Sequence, residues 1–144
     1  MSNLDEDTLN DIELARKIIS ESDSSFVVVQ YNKIWKEKKE AGIKPIIEAI
    51  RENKGDLKDT IIGINFLDKA SAMLCRYARV NGVYAPRATK TGIAVLIMAG
   101  IPSEIDEMIQ KIDNADDKNS FYNDLIKDVE SPEEAFKILE KKTF

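Results

Sequence analysis

The sequence lacks histidine entirely and contains one cysteine, Cys75, among its 144 residues. Most metal sites and most acid–base catalysis depend on these residue types, so their scarcity argues against both. One cysteine cannot form an internal disulfide. With no histidine to activate it, Cys75 is interpreted as a small packing residue and not as a nucleophile. We therefore expect no bound metal and no cofactor.

A basic excess and a long apolar run are also missing. The formal net charge is −5, whereas proteins that bind nucleic acid or anionic membranes normally carry a positive excess. No apolar run approaches the roughly 20 residues that span a bilayer. The start of the chain, Met1 to Asp11, is polar and acidic, unlike a signal or transit peptide. These absences predict a cytoplasmic protein that binds neither membranes nor nucleic acid in general.

What the chain does contain is typical of a globular protein. Hydrophobic residues make up 43% and charged residues 33% of the sequence, which is the usual balance for a folded domain. The length is also that of one domain with its own core. We expect a single domain over residues 1–144, with residues 1–4 and 141–144 fraying.

Apolar periodicity predicts an alternation of helices and strands. Helices are expected at about 5–20, 44–53, 67–80, 90–99, 106–112 and from 132 onward. Strands are expected at 26–30, 34–36, 60–64, 83–85 and 101–105. Pro102 restricts the last strand to a sheet edge, and helix 90–99 is apolar on nearly every side, so we expect it to be buried. This order predicts an α/β fold, a three-layer α/β/α sandwich around a mixed sheet of four to five strands.

Two strand-to-helix junctions carry the candidate ligand site. If strands 60–64 and 83–85 are adjacent and parallel, the helices after them begin at one crevice, where open α/β sheets commonly bind ligands. Free N–H groups and the positive helix end attract anions there. We therefore predict a site for a small anionic or nucleotide-like ligand. Its candidate residues are Asp68, Lys69, Ser71, Arg87, Thr89, Lys90 and Thr91.

Each of these residues also has a simpler interpretation. Asp68 is well placed to be a helix cap, and the cationic side chains of Arg87 and Lys90 are typical of an exposed helix start.

Two other functions remain open. As an enzyme, the chain would use Asp68 as a general base and Lys69 or Lys90 to stabilise a developing anion. As an assembly protein, it would bind another chain through its surface, and an exposed Trp35 would indicate such an interface.

Four segments resemble, in the same order, an uncharacterised bacterial and archaeal family with a cytidine-deaminase-like fold but no zinc site. The resemblance covers about residues 9–140. It rests on Gly42-Ile43-Lys44-Pro45, Asp68-Lys69, Val83-Tyr84-Ala85 and Ser131-Pro132-Glu133-Glu134-Ala135. It implies a zinc-free domain of that fold and, by analogy with related folds, a homo-oligomer. The family's Cys-Pro-Met-Glu segment has no counterpart at residues 116–123, so no role is carried over from it.

The zinc deaminases themselves provide a useful contrast. Their second motif is Pro-Cys-x-x-Cys, and its two thiolates bind zinc. Here the motif falls on Pro86, which is kept, while Arg87 and Lys90 replace the thiolates. Two cations cannot coordinate a dication, so zinc-dependent deamination is not expected. The leading prediction is a non-catalytic binding module of unknown specific function.

Overall fold

The computed structural model describes residues 6–110 and 118–144, and its centre is a five-stranded sheet in the order β2-β1-β3-β4-β5. The strands are β1 (Phe26–Gln30), β2 (Lys33–Lys38), β3 (Ile61–Ile64), β4 (Gly82–Thr89) and β5 (Ser103–Ile109). The helices are α1 (Glu6–Glu21), α2 (Lys44–Glu52), α3 (Lys69–Ala78), α4 (Lys90–Met98), α5 (Lys118–Leu125) and α6 (Pro132–Thr143). None of these helices is long and apolar enough to cross a membrane.

The sheet is mixed, as predicted. β1 runs antiparallel to both β2 and β3, whereas β3, β4 and β5 are parallel to one another. In β1, Val27 and Val29 face the core beneath α1 and Val28 faces the opposite core. This alternation explains why the strand is a continuous apolar run, because both of its faces are buried. The α/β prediction with a three-layer sandwich is confirmed.

The pair Asn32-Lys33 predicts a tight turn, but the hairpin between β1 and β2 turns one residue earlier, at Tyr31 and Asn32. Both residues have positive φ, 51° and 64°, as a tight two-residue hairpin turn requires. The carboxylate of Asp11 on α1 accepts hydrogen bonds from the backbone N–H of Tyr31 at 3.1 Å and of Asn32 at 2.7 Å. A buried side chain of α1 therefore holds the turn in place without a glycine.

Two element predictions were wrong, and both concern the same edge of the sheet. β4 extends through Thr89 instead of ending near Ala85, and residues 103–109 form β5 where a helix was expected from Asp106 onward. The two strands pair in parallel from Val83 to Thr89 on β4. Pairing with a distant segment is not visible in local periodicity, so the sequence pattern could not reveal it.

Two helices also differ from expectation. α3 begins at Lys69, because Leu67 instead pairs with Ala88 of β4. α4 is not buried on all sides, since Ile97 and Met98 are 67% and 76% exposed. The polar stretch 114–119 predicts a loop, but α5 begins at Lys118, and residues 114–117 lie outside the described residues. Ser131 followed by Pro132 predicts a helix cap, and this prediction is confirmed by the hydrogen bond from the Glu134 N–H to the Ser131 side chain.

The edge strand β5 is fastened to α1 by a charged network. Arg16 donates hydrogen bonds to Glu104 at 2.6 Å and to Asp106 at 2.8 Å. Its guanidinium carbon also lies 4.8 Å from the ring centroid of Tyr84. The buried Tyr84 hydroxyl donates to Asp106 at 2.5 Å. These contacts connect the outermost strand to the helix that covers the sheet centre.

This network predicts a pH-dependent contribution to stability. The hydrogen bond from Tyr84, together with Arg16, lowers the pKa of Asp106 below its ordinary value. The ionised carboxylate therefore adds stability that is complete above the unfolded-state pKa and is lost as pH falls through the lowered folded-state pKa. We expect Asp106→Asn to be less stable than the parent near neutrality, with the difference shrinking towards about pH 3.

Urea unfolding of both proteins across that pH range measures the effect. Glu107→Gln is the matched control on the same strand, because its carboxylate is 69% exposed and pairs with Arg87 at 3.7 Å. It should change the unfolding free energy little. If Asp106→Asn lowers the unfolding free energy by the same amount at every pH, the Asp106 carboxylate does not contribute in the way proposed.

Candidate functional site

The two predicted helix starts do meet at one edge of the sheet. β3 and β4 are adjacent and parallel, so α3 and α4 both begin beyond the carboxyl ends of those strands. The backbones touch there: a Cβ placed on Gly92 would lie 2.9 Å from both the carbonyl carbon and the oxygen of Asp68. Only glycine permits this approach. The predicted crevice is therefore a tight contact in its inner part.

Asp68 caps α3, and the capping interpretation is confirmed. Its Oδ1 accepts hydrogen bonds from the Ser71 N–H at 3.0 Å and from the Ser71 hydroxyl at 2.9 Å. The Ser71 hydroxyl oxygen in turn accepts from the Asp68 N–H at 2.9 Å. Both residues are buried, with 3% and 1% of their surface exposed. This reciprocal capping box satisfies helix-end donors that would otherwise be free to bind an anion.

A residue that the sequence did not single out, Asn123 of α5, completes this cap. Its Oδ1 accepts from the Ala70 N–H at 2.9 Å, and its Nδ2 donates to Asp68 Oδ2 at 3.1 Å. Lys69 reaches the turn that follows α5, where its ammonium donates to the Lys127 carbonyl at 2.9 Å. The start of α3 is thus covered by α5. No local pattern marks Asn123, because its partners lie more than fifty residues earlier in the chain.

The start of α4 is more accessible. Thr89 is buried and caps the helix through a hydrogen bond from the Gly92 N–H at 3.1 Å. Arg87 belongs to β4 and not to the helix start, and its side chain is 58% exposed beside Glu107. Lys90 and Thr91 are exposed in the first helical turn. Of the predicted site residues, Arg87, Lys90 and Thr91 are the exposed ones.

The lone cysteine lies away from this edge and is inert. Cys75 is fully buried in α3, and burial raises the pKa of its thiol to about 12. The thiol is therefore protonated at neutral pH and is a weak nucleophile. Its interpretation as a packing residue is confirmed. Across residues 6–110 and 118–144, no three side chains of His, Cys, Asp or Glu are grouped so that they could hold a metal ion.

Comparison with known proteins defines the family. Residues 14–143 match the family model described as a domain of unknown function, DUF1893. The chain belongs to the DUF1893 family. The structure is similar to the crystal structure of a DUF1893 family protein from Thermotoga maritima, with a TM-score of 0.82 and 21% sequence identity. The match covers 97% of this chain and 92% of that one.

The DUF1893 match confirms the predicted membership in a family of unknown function. At 21% identity the likeness to the Thermotoga maritima protein shows a shared fold and no more. No curated protein has a matching sequence. The cytidine-deaminase-like label stays a prediction, and so do the zinc-free character and the ligand site that followed from it.

The capping arrangement of this DUF1893 chain predicts a measurable cost when Asn123 is removed. Asn123→Ala takes one hydrogen bond from the Ala70 N–H and one from the Asp68 carboxylate. Loss of hydrogen bonds to partly buried groups should lower the unfolding free energy by about 1–2 kcal/mol. Urea unfolding at neutral pH measures this loss.

Arg87→Ala at the same edge is the control, because its ion pair with Glu107 is exposed. It should change stability by no more than about 0.5 kcal/mol. The account fails if Asn123→Ala is as neutral as the control.

Proposed function

We propose that this DUF1893 chain is a single zinc-free, non-catalytic, cytoplasmic domain that binds a small anionic or nucleotide-like ligand at the start of α4. The observation that carries the proposal is the exposed group of Arg87, Lys90 and Thr91. It combines two cations and a hydroxyl with the positive end of a helix. The cytidine-deaminase-like fold implied by the sequence resemblance belongs to the same proposal.

The predicted site residues divide into a contact group and a supporting group. Arg87, Lys90 and Thr91 form the contact group. Asp68 and Ser71 cap α3, Thr89 caps α4, and Lys69 bonds the turn after α5. The pair between Arg87 and Glu107 spans 3.7 Å at the surface, and such exposed pairs contribute little. A phosphate or carboxylate can therefore replace Glu107 as the partner of Arg87 at low cost.

The environment of Asp68 favours binding over catalysis. A general base has to reach a substrate proton, but Asp68 is 3% exposed and both of its carboxylate oxygens accept hydrogen bonds within the protein. Lys69, the proposed partner in an enzyme mechanism, donates to the Lys127 carbonyl. The free, buried Cys75 is compatible with a reducing compartment.

Thermal unfolding in the presence of anions tests the proposed site. We expect at least one of inorganic phosphate, sugar phosphates or nucleoside monophosphates to raise the midpoint temperature of unfolding in a concentration-dependent way. Arg87→Ala and Lys90→Ala should each lower the affinity for that ligand about tenfold, because each removes a charge-assisted contact. Lys17→Ala, an exposed lysine on α1, is the control and should have no effect. Unchanged affinity in both site variants would exclude this placement.

A second function, self-association, is favoured by the exposed face of α4. Ala94, Ile97 and Met98 lie exposed on this helix, and the segment from Thr91 to Ser103 has no charged residue. Exposed apolar faces of this kind are typical of interfaces. The partner we propose is a second copy of the chain, because an equally uncharged face matches it. Antiparallel packing of two α4 helices also brings each Lys90 to the negative end of the other helix.

Sedimentation of the protein over a range of concentrations tests this dimer. We expect the parent to dimerise and Met98→Glu to be monomeric, because the substitution buries an unpaired charge in the interface. Met108→Glu on β5 is the control, since Met108 is 53% exposed but lies outside α4. A monomeric parent, or equal dissociation by both variants, would contradict the proposal. Arg87 separates the two functions, because it lies on β4 and outside the α4 face.

A further inference from the structure

A second concave site lies at the opposite edge of the sheet from the start of α4. A cavity of about 250 Å³ opens between the β1–β2 hairpin and the connection from α2 to β3. Its lining residues come from the hairpin and from the connection into β3: Gln30, Trp35, Asn53, Asp56, Leu57, Lys58 and Thr60. The cavity therefore combines one large aromatic ring with polar groups from two separate elements.

A β-bulge places Trp35 in this cavity. Val28 pairs with Lys36 and Val29 pairs with Ile34, which leaves Trp35 as the extra residue on β2. Bulges change the direction of a side chain relative to the regular alternation of a strand. Trp35 is 46% exposed, so much of the indole is accessible to a ligand. From the sequence, an exposed Trp35 would indicate an interface to another chain, which is a different role from the one proposed below.

The polar groups of the cavity are available for recognition. Asn53 donates its Nδ2 to the Ala49 carbonyl at 2.8 Å, which fixes the amide and leaves its Oδ1 as an acceptor. Within the described ranges, no residue hydrogen-bonds the side chain of Gln30 or forms an ion pair with Lys58. The Leu57 side chain is buried and supplies an apolar wall. The Gln30 amide, the Asn53 side-chain oxygen and the Lys58 ammonium thus remain beside the indole, while the Asp56 carboxylate accepts a hydrogen bond from Arg79 at 3.1 Å.

We propose that this cavity binds the base of a nucleoside or mononucleotide, stacked on Trp35 and hydrogen-bonded at its edge by Gln30 and Asn53. Stacking on an aromatic side chain suits any flat base, and a side-chain amide matches the donor and acceptor pattern of a base edge. At about 250 Å³ the cavity is below the usual size for whole ligands. It holds one ring system, with the sugar and any phosphate outside, near the exposed Lys58.

The ligand of this cavity is a single nucleotide and not a nucleic-acid strand. Single-strand binding needs a positively charged groove that follows the backbone, and this chain has a net charge of −5. The proposal does not depend on the anion site at α4, because it uses different residues at the other edge of the sheet. A nucleoside without phosphate therefore distinguishes the two sites.

Trp35 is the only tryptophan in the sequence, so intrinsic fluorescence reports on this cavity directly. We expect at least one of adenosine, guanosine, cytidine and uridine to quench it saturably. Free tryptophan amide corrects for light absorption by the nucleosides, and ribose is the control without a base. Quenching that does not saturate for any nucleoside, or equal saturation with ribose, would overturn the proposal.

Variants test the residues. Gln30→Leu should lower the affinity for the nucleoside that quenches the fluorescence by about fivefold or more, because the base edge loses its hydrogen-bond partner. Lys58→Ala should lower the affinity for the monophosphate of the same nucleoside and leave the affinity for the nucleoside itself unchanged. Trp35→Ala, measured by calorimetry, should lose about tenfold or more in affinity.

Arg87→Ala is the control at the other site and should leave nucleoside binding unchanged. If Gln30→Leu retains parental affinity, or if Arg87→Ala removes nucleoside binding, the assignment to the Trp35 cavity is wrong. Failure of the α4 site alone would appear as phosphate binding that Arg87→Ala does not alter, with nucleoside quenching intact.

Discussion

The contact between the backbones of Gly92 and Asp68 sets the geometry of the edge where α3 and α4 begin. Parallel pairing of β3 with β4 brings these helix starts together, and the missing side chain of Gly92 lets them touch. Asp68 is thereby buried and can serve as a cap, and α5 adds Asn123 to the same group. What remains accessible is the outer part, formed by Arg87, Lys90 and Thr91. The close packing of two helices thus decides which polar residues support the structure and which can meet a ligand.

The opposite face of the sheet depends on α1 in a comparable way. Arg16 of this helix binds Asp106 on β5 and lies over Tyr84 on β4, while Asp11 holds the hairpin turn between β1 and β2. One helix therefore fastens both edges of a five-stranded sheet. The hairpin that it holds carries Trp35, so the cavity beside Trp35 has a defined wall. Rigid placement of this kind reduces the ordering cost of binding.

Family membership describes the ancestry of the chain without supplying an activity, so function has to be argued from sites. Three surfaces of this DUF1893 chain offer distinct chemistry: a cationic helix start, an uncharged helix face and a cavity that combines an indole with side-chain amides. The carboxylate of Asp68 and the protonated thiol of Cys75 are both buried away from solvent and contribute to none of these surfaces. The partners proposed for these surfaces differ: an anion, a second copy of the chain and a base.

The sequence by itself determined the features that local physics controls. The Val27-Val28-Val29 run, the Asp68 cap and the Ser-Pro start of α6 are each specified by neighbouring residues, and each was predicted. Tertiary structure decided the rest. Whether 103–109 forms a strand depends on β4 being available to pair with it, and Asn123 acquires its role only because folding brings α5 onto α3. The exposure of Ile97 and Met98 depends likewise on which elements lie beside α4. Contacts between residues far apart in the chain have no local signature, since the same short pattern is compatible with several partners until the whole chain has packed.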